Sequence, residues 1–347
     1  MAAKWAEFVR PLIMAAKCGI ISVYWGGVKM VMNLLGYQAT LNNRIDLSGV
    51  GVHSGVPVSI SLLPADPNTG VVFQRTGVNG SGDVDIPAIV RSVGATDLCT
   101  VLGDPSGVNV ATVEHLMAAL RALDVDNVIV EIDGAEVPVM DGSSEVFVDA
   151  IDQVGLTRQA VRRRYIRVIK PIRVDMGASW GEFVPYEGIR YEVEIDFDTD
   201  IIGRQKFSGD MTADVFRTQL SRARTFGFMK DVERLWAAGY ALGSSLENSV
   251  VIGDDNKIIN PEGLRYTDEF VRHKALDAVG DLALAGAPIL GCFKSYRGGH
   301  KLNALTLRTL LSDASAYEVV ESPAKREHTA HAELVAVHAP MFAAEKL

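Results

Sequence analysis

From about Gln38 onward, the chain alternates between segments with the hydrophobic period of a strand and segments with that of a helix. Three segments carry apolar residues at every second position, which predicts β-strands with one buried face. These segments are 56–63, 127–133 and 191–197. In the third, Glu192, Glu194 and Asp196 lie opposite the apolar side, which is typical of a sheet that is wet on one face only.

Two segments have the period of a helix. Residues 112–123, "TVEHLMAALRAL", predict an amphipathic helix with Thr112 as its N-cap, and residues 268–286 predict a longer one with acidic residues in its first turn and Gly286 near its end. Each helix is followed by a turn and an apolar strand and has a histidine near its start. This shared order suggests an internal duplication, although the identity between the two segments is weak.

The second helical segment carries polar residues among apolar ones. His273, Asp277 and Asp281 recur every four residues and so share one face of the helix. Unpaired charges are costly to bury. Two interpretations follow: an ordinary surface pair of His273 and Asp277, or a divalent cation that uses both side chains as ligands.

A cation would need a further ligand, and the chain has seven histidines. Four of them need no metal to explain them. His328, His331 and His338 lie in the C-terminal tail, where we expect solvent, and His53 lies in the glycine-rich turn "SGVGVHSG". His115 follows Glu114 at a helix start, but the second histidine of an H-E-x-x-H metalloprotease motif is missing. His300 lies in a glycine-rich loop, where catalytic groups are often displayed.

Composition narrows the class of protein. The 347 residues are 48% apolar, which is enough for two domains with their own cores. A net charge of −9 argues against a nucleic-acid partner. The three cysteines (Cys18, Cys99 and Cys292) are odd in number and far apart, which fits a reducing compartment and excludes a cysteine-based metal cluster. A basic stretch at 158–174 marks a domain boundary near 160, and we interpret it as a solvated strand edge.

The N-terminal segment 18–39 is apolar, but Lys29 interrupts it and its uncharged run is too short for a bilayer span. It also lacks a signal-peptide cleavage site. Three interpretations stay open: an upstream extension with the natural start at Met30 or Met32, a disordered leader, or a weak membrane-facing segment. We expect residues 316–347 to form a peripheral tail.

Five motifs in order give the sequence a specific resemblance: "TVEHLMAAL", "EVPVMDGSS", "SRARTFGF", "DEFVRHKALDAVGDL" and "SYRGGHKLNALTLR". Over about residues 37–312 the chain resembles the UDP-3-O-acyl-N-acetylglucosamine deacetylases, zinc amidases of lipid A biosynthesis. The resemblance implies an α+β fold of two domains with similar topology, each a β-sheet layered with α-helices, with the active site at their interface. The implied division is an N-terminal extension outside the fold, two domains and the tail: 1–36, 37–160, 161–315 and 316–347.

The resemblance also implies a role for each residue of the site. The Zn²⁺ ligands, with Fe²⁺ as an alternative metal in the cell, would be His115, His273 and Asp277. Glu114 would be the general base, and a protonated His300 would stabilise the oxyanion and then protonate the leaving amine. Asp281 would orient His300, and Thr225 would donate a hydrogen bond to the oxyanion.

The implied substrate is an acylated UDP-sugar. Lys274 and Phe226 would contact it, and Arg297 would bind its diphosphate. An insert at about 227–252 would hold the acyl chain along apolar residues that composition alone would assign to a helix core: Phe226, Leu235, Trp236, Ala238 and Tyr240. Cys99 falls near the rim of the site as a buried bystander. We expect a cytoplasmic monomer with one activity, no nucleic-acid partner and no stable membrane insertion.

Two other hypotheses belong to different classes. One is a catalytically silent relative that binds a nucleotide-lipid, which would require a lesion among the ligands or the acid–base groups. The other is a structural protein whose histidines are ordinary core residues. In that case the six site residues would not converge in space: Glu114, His115, His273, Asp277, Asp281 and His300.

Overall fold

The computed structural model describes residues 21–25, 28–32, 36–78 and 82–322, which form several β-sheets layered with α-helices. This confirms the predicted α+β class. The helices are α1 (Glu114–Ala122), α2 (Glu145–Val154), α3 (Ala213–Val215), α4 (Met229–Ala237), α5 (Glu269–Ala283) and α6 (His300–Ser312), with a 3-10 turn at Val90–Ser92 and a π-helical turn at Phe216–Leu220. None of the helices in these ranges is long and apolar enough to cross a membrane.

The strands of the first half of the chain are β1 (Ile21–Trp25), β2 (Val28–Met32), β3 (Tyr37–Leu41), β4 (Ile45–Val50), β5 (Pro57–Pro64), β6 (Val71–Arg75), β7 (Val84–Pro87), β8 (Val93–Ala95), β9 (Val101–Gly103), β10 (Asn109–Val110), β11 (Val128–Ile132) and β12 (Leu156–Arg162). This half is built on a five-stranded sheet of order β4-β5-β11-β6-β7. Its central strand β11 runs antiparallel to β5 and parallel to β6. Strands β1 and β2, inside the predicted extension 1–36, pair with each other.

The strands of the second half are β13 (Arg164–Val168), β14 (Ile172–Met176), β15 (Ser179–Val184), β16 (Ile189–Asp196), β17 (Arg204–Asp210), β18 (Phe226–Phe228), β19 (Val250–Ile252), β20 (Ile289–Tyr296) and β21 (Tyr317–Glu321). All but the small parallel pair β18–β19 form a seven-stranded sheet around β20, which pairs antiparallel with β15 and parallel with β13 and β16. Helices α5 and α6 pack on this sheet.

The predicted elements are present. The three alternating segments are strands β5, β11 and β16. The two helix–turn–strand units are α1 followed by β11 and α5 followed by β20. The Thr112 cap is wrong: Val113 occupies the N-cap position, and no side chain caps the helix. Thr112 has a left-handed φ of 57°, and its hydroxyl donates to Glu136 Oε1 at 2.9 Å.

The basic stretch at 158–174 is only in part a solvated strand edge. Arg162, Arg164 and Arg167 are exposed. Arg163 is 1% exposed and forms salt bridges of 2.6 Å with both Asp124 and Asp126. A buried guanidinium needs such partners, so this residue ties the start of the second half to the turn after α1.

Helices α1 and α5 pack closely against each other. At Gly280 of α5, an added Cβ would lie 2.0 Å from the carbonyl oxygen of Glu114. Only glycine lets the α5 backbone approach the first turn of α1 this closely. Because Glu114 and His115 lie in that turn, the contact sets their position relative to α5.

We expect Gly280→Ala to lower the free energy of unfolding by about 1–3 kcal/mol, because the methyl group would push the helices apart. The same variant should bind divalent metal more weakly. Chemical denaturation and metal titration measure both effects. Gly227→Ala is the control, since its Cβ would meet nothing within 4 Å. Unchanged stability in Gly280→Ala would show that the contact between α1 and α5 accommodates a methyl group at this position.

Candidate active site

Two histidines and one aspartate from α1 and α5 converge on one point. His115 lies in the first turn of α1, and His273 and Asp277 lie one turn apart on α5. The ligand atoms of the three buried residues all lie within 4.8 Å of one another. Asp277 Oδ1 is 3.5 Å from His115 Nε2 and 3.4 Å from His273 Nε2. The structure therefore brings together the three residues predicted to bind metal.

Hydrogen bonding at this cluster fits a cation. Asp277 Oδ1 is buried and has no hydrogen-bond partner among the described residues, which is costly unless an ion satisfies it. His273 Nδ1 lies 3.0 Å from the Ala223 carbonyl oxygen and donates to it, so that Nε2 presents its lone pair. Burial lowers the pKa of His273 to about 3, which keeps its imidazole neutral. Two imidazoles and a carboxylate form a donor set that suits a divalent transition metal.

A second cluster adjoins the first and consists of Glu114, Asp281 and His300. His300 Nε2 lies 3.7 Å from Glu114 Oε1, and His300 Nδ1 lies 3.0 Å from Asp281 Oδ2. Glu114 precedes a residue of the metal cluster, and Asp281 lies one turn after another. One imidazole therefore bridges two carboxylates beside the candidate metal site.

The pKa values of His300 and Glu114 in this second cluster are both raised. Burial lowers the pKa of His300, but the Asp281 and Glu114 carboxylates outweigh it and raise the value to about 9. Burial raises the pKa of Glu114, against the opposing effect of His300. Such a pair of buried acid–base groups in one site is typical of catalysis.

Two residues that the sequence analysis missed hold the carboxylates. The Thr100 amide donates to Glu114 Oε2 at 3.1 Å, and its hydroxyl donates to Asp281 Oδ1 at 2.6 Å. Asn303 Nδ2 donates to Asp281 Oδ2 at 2.8 Å. Asn303 lies one turn after His300 on α6, a spacing that could have indicated it. Thr100 follows a short turn without any periodic signal.

Other predicted site residues line the same region. Lys274 Nζ is 2.7 Å from Asp277 Oδ2 and 5.7 Å from the Phe226 ring centroid. The Phe226 ring centroid is 6.2 Å from that of His273. Thr225, which precedes Phe226, is half-buried, and its amide donates to the Gly142 carbonyl at 2.8 Å. These contacts bring Lys274 and Phe226 against the metal cluster, while the hydroxyl role of Thr225 stays a prediction.

Arg297 is exposed, three residues before His300. It has a left-handed φ of 52°, and its amide donates to the Glu194 carbonyl at 2.8 Å. Its role in diphosphate binding stays a prediction. Cys99 is buried beside Thr100, and burial together with Glu114 raises the pKa of its thiol to about 12, as expected of an unreactive bystander.

The insert at 227–252 forms β18, helix α4, a loop and β19. No residue of α4 is buried, and Trp236 is 54% exposed, so assignment of this segment to a helix core would be wrong. The loop after α4 is held by the turn around His53: the Ala241 amide donates to His53 Nδ1 at 3.4 Å, and the ring of Tyr240 packs edge-on against the imidazole. A role for this apolar surface in binding an acyl chain stays a prediction.

The chain matches known proteins over most of its length. A family model described as UDP-3-O-acyl N-acetylglycosamine deacetylase matches residues 38–312. Similar curated proteins include the UDP-3-O-acyl-N-acetylglucosamine deacetylases of Brucella ovis, Brucella canis and Brucella melitensis. Each is 59% identical over 286 residues, which covers 82% of this chain and 99% of the relative.

In the metal-free protein, we expect the pKa of His300 to be about 9, against an ordinary value of 6.5. Asp281→Asn should lower it by roughly 1–3 units, because a neighbouring negative charge is lost. Since the folded-state pKa is raised, the stabilisation is full below pH 6.5 and is lost as pH rises through about 9. Histidine NMR titration measures the pKa, with exposed Asp175→Asn as control. An unchanged His300 pKa in Asp281→Asn would contradict the pairing.

Proposed function

The chain belongs to the UDP-3-O-acyl-N-acetylglucosamine deacetylase family, and we propose that it removes the acetyl group of such a substrate with a zinc ion bound by His115, His273 and Asp277. The products are UDP-3-O-acyl-glucosamine and acetate, in lipid A biosynthesis. The observation that carries the proposal is the junction of the two clusters. The metal cluster and the acid–base cluster meet through adjacent residues of α1 and successive turns of α5.

The donor set supports zinc, with ferrous iron as an alternative in the cell, because both metals accept imidazole nitrogen and carboxylate oxygen. When bound, the metal would supply Lewis acidity for water activation and carbonyl polarisation. Asp277 Oδ1 and the Nε2 atoms of His115 and His273 are the groups that would hold it.

Two residues move protons in this proposal. Glu114 accepts a proton from the attacking water, and its raised pKa makes it a stronger base at neutral pH. Protonated His300 stabilises the oxyanion and then donates a proton to the departing amine as the carbon–nitrogen bond breaks. Its raised pKa keeps it protonated at neutral pH. Asp281 holds His300 in the required orientation through the 3.0 Å bond.

Substrate contacts come from the surrounding residues. Thr225 donates its hydroxyl to the developing oxyanion. Lys274, in contact with Asp277, and Phe226 contact the substrate, and exposed Arg297 pairs with its diphosphate. The acyl chain lies along the exposed apolar residues of α4 and the loop after it.

The domain division also remains our proposal, with 37–160 and 161–315 as two units and 1–36 outside the fold. The two main sheets and the contact between α1 and α5 support the two units. The proposed tail 316–347 is not peripheral at its start, because Tyr317–Glu321 forms β21 and pairs with β13 in the second sheet. The free, buried Cys99 and Cys292 support a cytoplasmic location. We further propose that the protein acts as a monomer. The silent-relative alternative requires a missing ligand or acid–base group, yet all six of these residues are present and converge.

Removal of zinc should abolish deacetylation, and one equivalent of zinc should restore it.

Asp277→Asn should lose metal, because the unpaired carboxylate oxygen is replaced. Asp281→Asn, its matched partner one turn away, should keep metal and lose turnover. Glu114→Gln and His300→Ala should each lower kcat by roughly 10²–10⁴-fold with metal retained.

Metal analysis and steady-state assays on the same samples separate these roles. Asp175→Asn, which makes the same change at an exposed aspartate, should leave both measurements unchanged. Full turnover in the chelated protein would exclude the zinc mechanism. Near-wild-type kcat in Glu114→Gln or His300→Ala would assign proton transfer elsewhere.

Trp236→Ala should raise KM for the acylated substrate roughly tenfold, because apolar contact with the chain is lost. It should not change KM for UDP-N-acetylglucosamine, which has no acyl chain. Ile169→Ala removes another exposed apolar side chain and serves as control. Equal effects of Trp236→Ala on both substrates would show that α4 does not bind the acyl chain.

A further inference from the structure

A separate cavity of about 310 Å³ lies beside the C-terminal halves of α1 and α5. Arg121, near the end of α1, lines it, seven residues after Glu114, and so do Val279 and Leu282 of α5. Its walls are largely apolar and include Leu156, Ile189, Met211, Val279, Leu282 and Ile289. None of these residues belongs to the metal cluster or the acid–base cluster.

Hydrogen bonds within the described residues do not account for the guanidinium of Arg121. Its Nε and Nη1 atoms are shielded from solvent and have no hydrogen-bond partner among the described residues. Burial lowers the pKa of this group, although Asp126 and Asp124 oppose the effect. Shielded donors on a cation are costly to leave unpaired.

The nearby carboxylates are already engaged. Asp124 accepts from Arg163 Nη1 at 2.6 Å, and Asp126 accepts from Arg163 Nη2 at 2.6 Å. Asp126 also accepts the Ala39 amide at 2.8 Å. Asp214 also lines the cavity, and its side chain is 63% exposed. Arg121 therefore lines a largely apolar cavity without a carboxylate hydrogen-bonded to its guanidinium among the described residues.

We propose that this cavity is a second binding site, for a medium-chain carboxylate whose head group pairs with Arg121 and whose hydrocarbon chain packs on Val279, Leu282 and Met211. A guanidinium binds a carboxylate through two parallel hydrogen bonds. A volume of about 310 Å³ is at the lower end of the range for small-molecule sites, which suits a single medium-length hydrocarbon chain. The apolar walls favour a hydrocarbon tail over a free inorganic anion.

Methionine methyl NMR on the zinc-loaded full chain distinguishes this cavity from the acyl-chain surface. Met211 lines the cavity, while Met229 begins the exposed helix α4. Decanoate should shift the Met211 resonance saturably, with or without a shift at Met229. Met211→Leu and Met229→Leu assign the two signals.

Two variants test the chemistry of the site. Arg121→Met, which keeps the length of the side chain, should weaken the decanoate response at Met211 at least tenfold and leave turnover without decanoate within twofold of wild type. Arg91→Met removes an exposed arginine and should keep the response.

Three outcomes would overturn the proposal. One is a decanoate shift at Met229 alone, which would assign the fatty acid to the acyl-chain surface. Another is a Met211 shift with inorganic phosphate but not with decanoate. The third is an unchanged decanoate response in Arg121→Met.

Discussion

The close approach of α1 and α5 is the constraint on which the site depends. At Gly280 the two backbones are so near that a single methyl group would overlap the Glu114 carbonyl. This approach brings His115 from one half of the chain to His273 and Asp277 from the other, 158 residues later. It also places Glu114 against His300 and Asp281. A small increase in the distance between the helices would separate both clusters at once.

Burial then gives these polar groups their chemical character. Burial keeps the His273 imidazole neutral and raises the pKa of the Glu114 carboxyl. The neighbouring carboxylates keep the His300 imidazole protonated despite its burial. Thr100 and Asn303 fix the carboxylates by hydrogen bonds, so that the acid–base groups have one orientation. Burial also leaves one Asp277 oxygen without a partner, which is the feature that a cation would satisfy.

Much of this arrangement could be predicted from the sequence. Strict alternation located β5, β11 and β16, because one wet and one dry face imposes a period of two. The four-residue spacing on α5 placed His273, Asp277 and Asp281 on one stripe. Pairing of His115 with that stripe required the family resemblance, since periodicity carries no information about contacts between distant segments.

Other features depend on tertiary contacts and have no local signal. Thr112 has the chemistry of an N-cap, yet Glu136 captures its hydroxyl. Arg163 belongs to a basic run but is buried by the turn after α1. The apolar composition of α4 suggested a core, whereas the helix lies on the surface.

X-ray absorption at the zinc edge would test whether the metal is bound by residues of both α1 and α5. We predict two imidazole nitrogens and additional oxygen donors at about 2.0–2.2 Å, with one imidazole lost in His115→Ala. Sulfur scattering, or an unchanged imidazole count in His115→Ala, would show that the metal is not bound between α1 and α5.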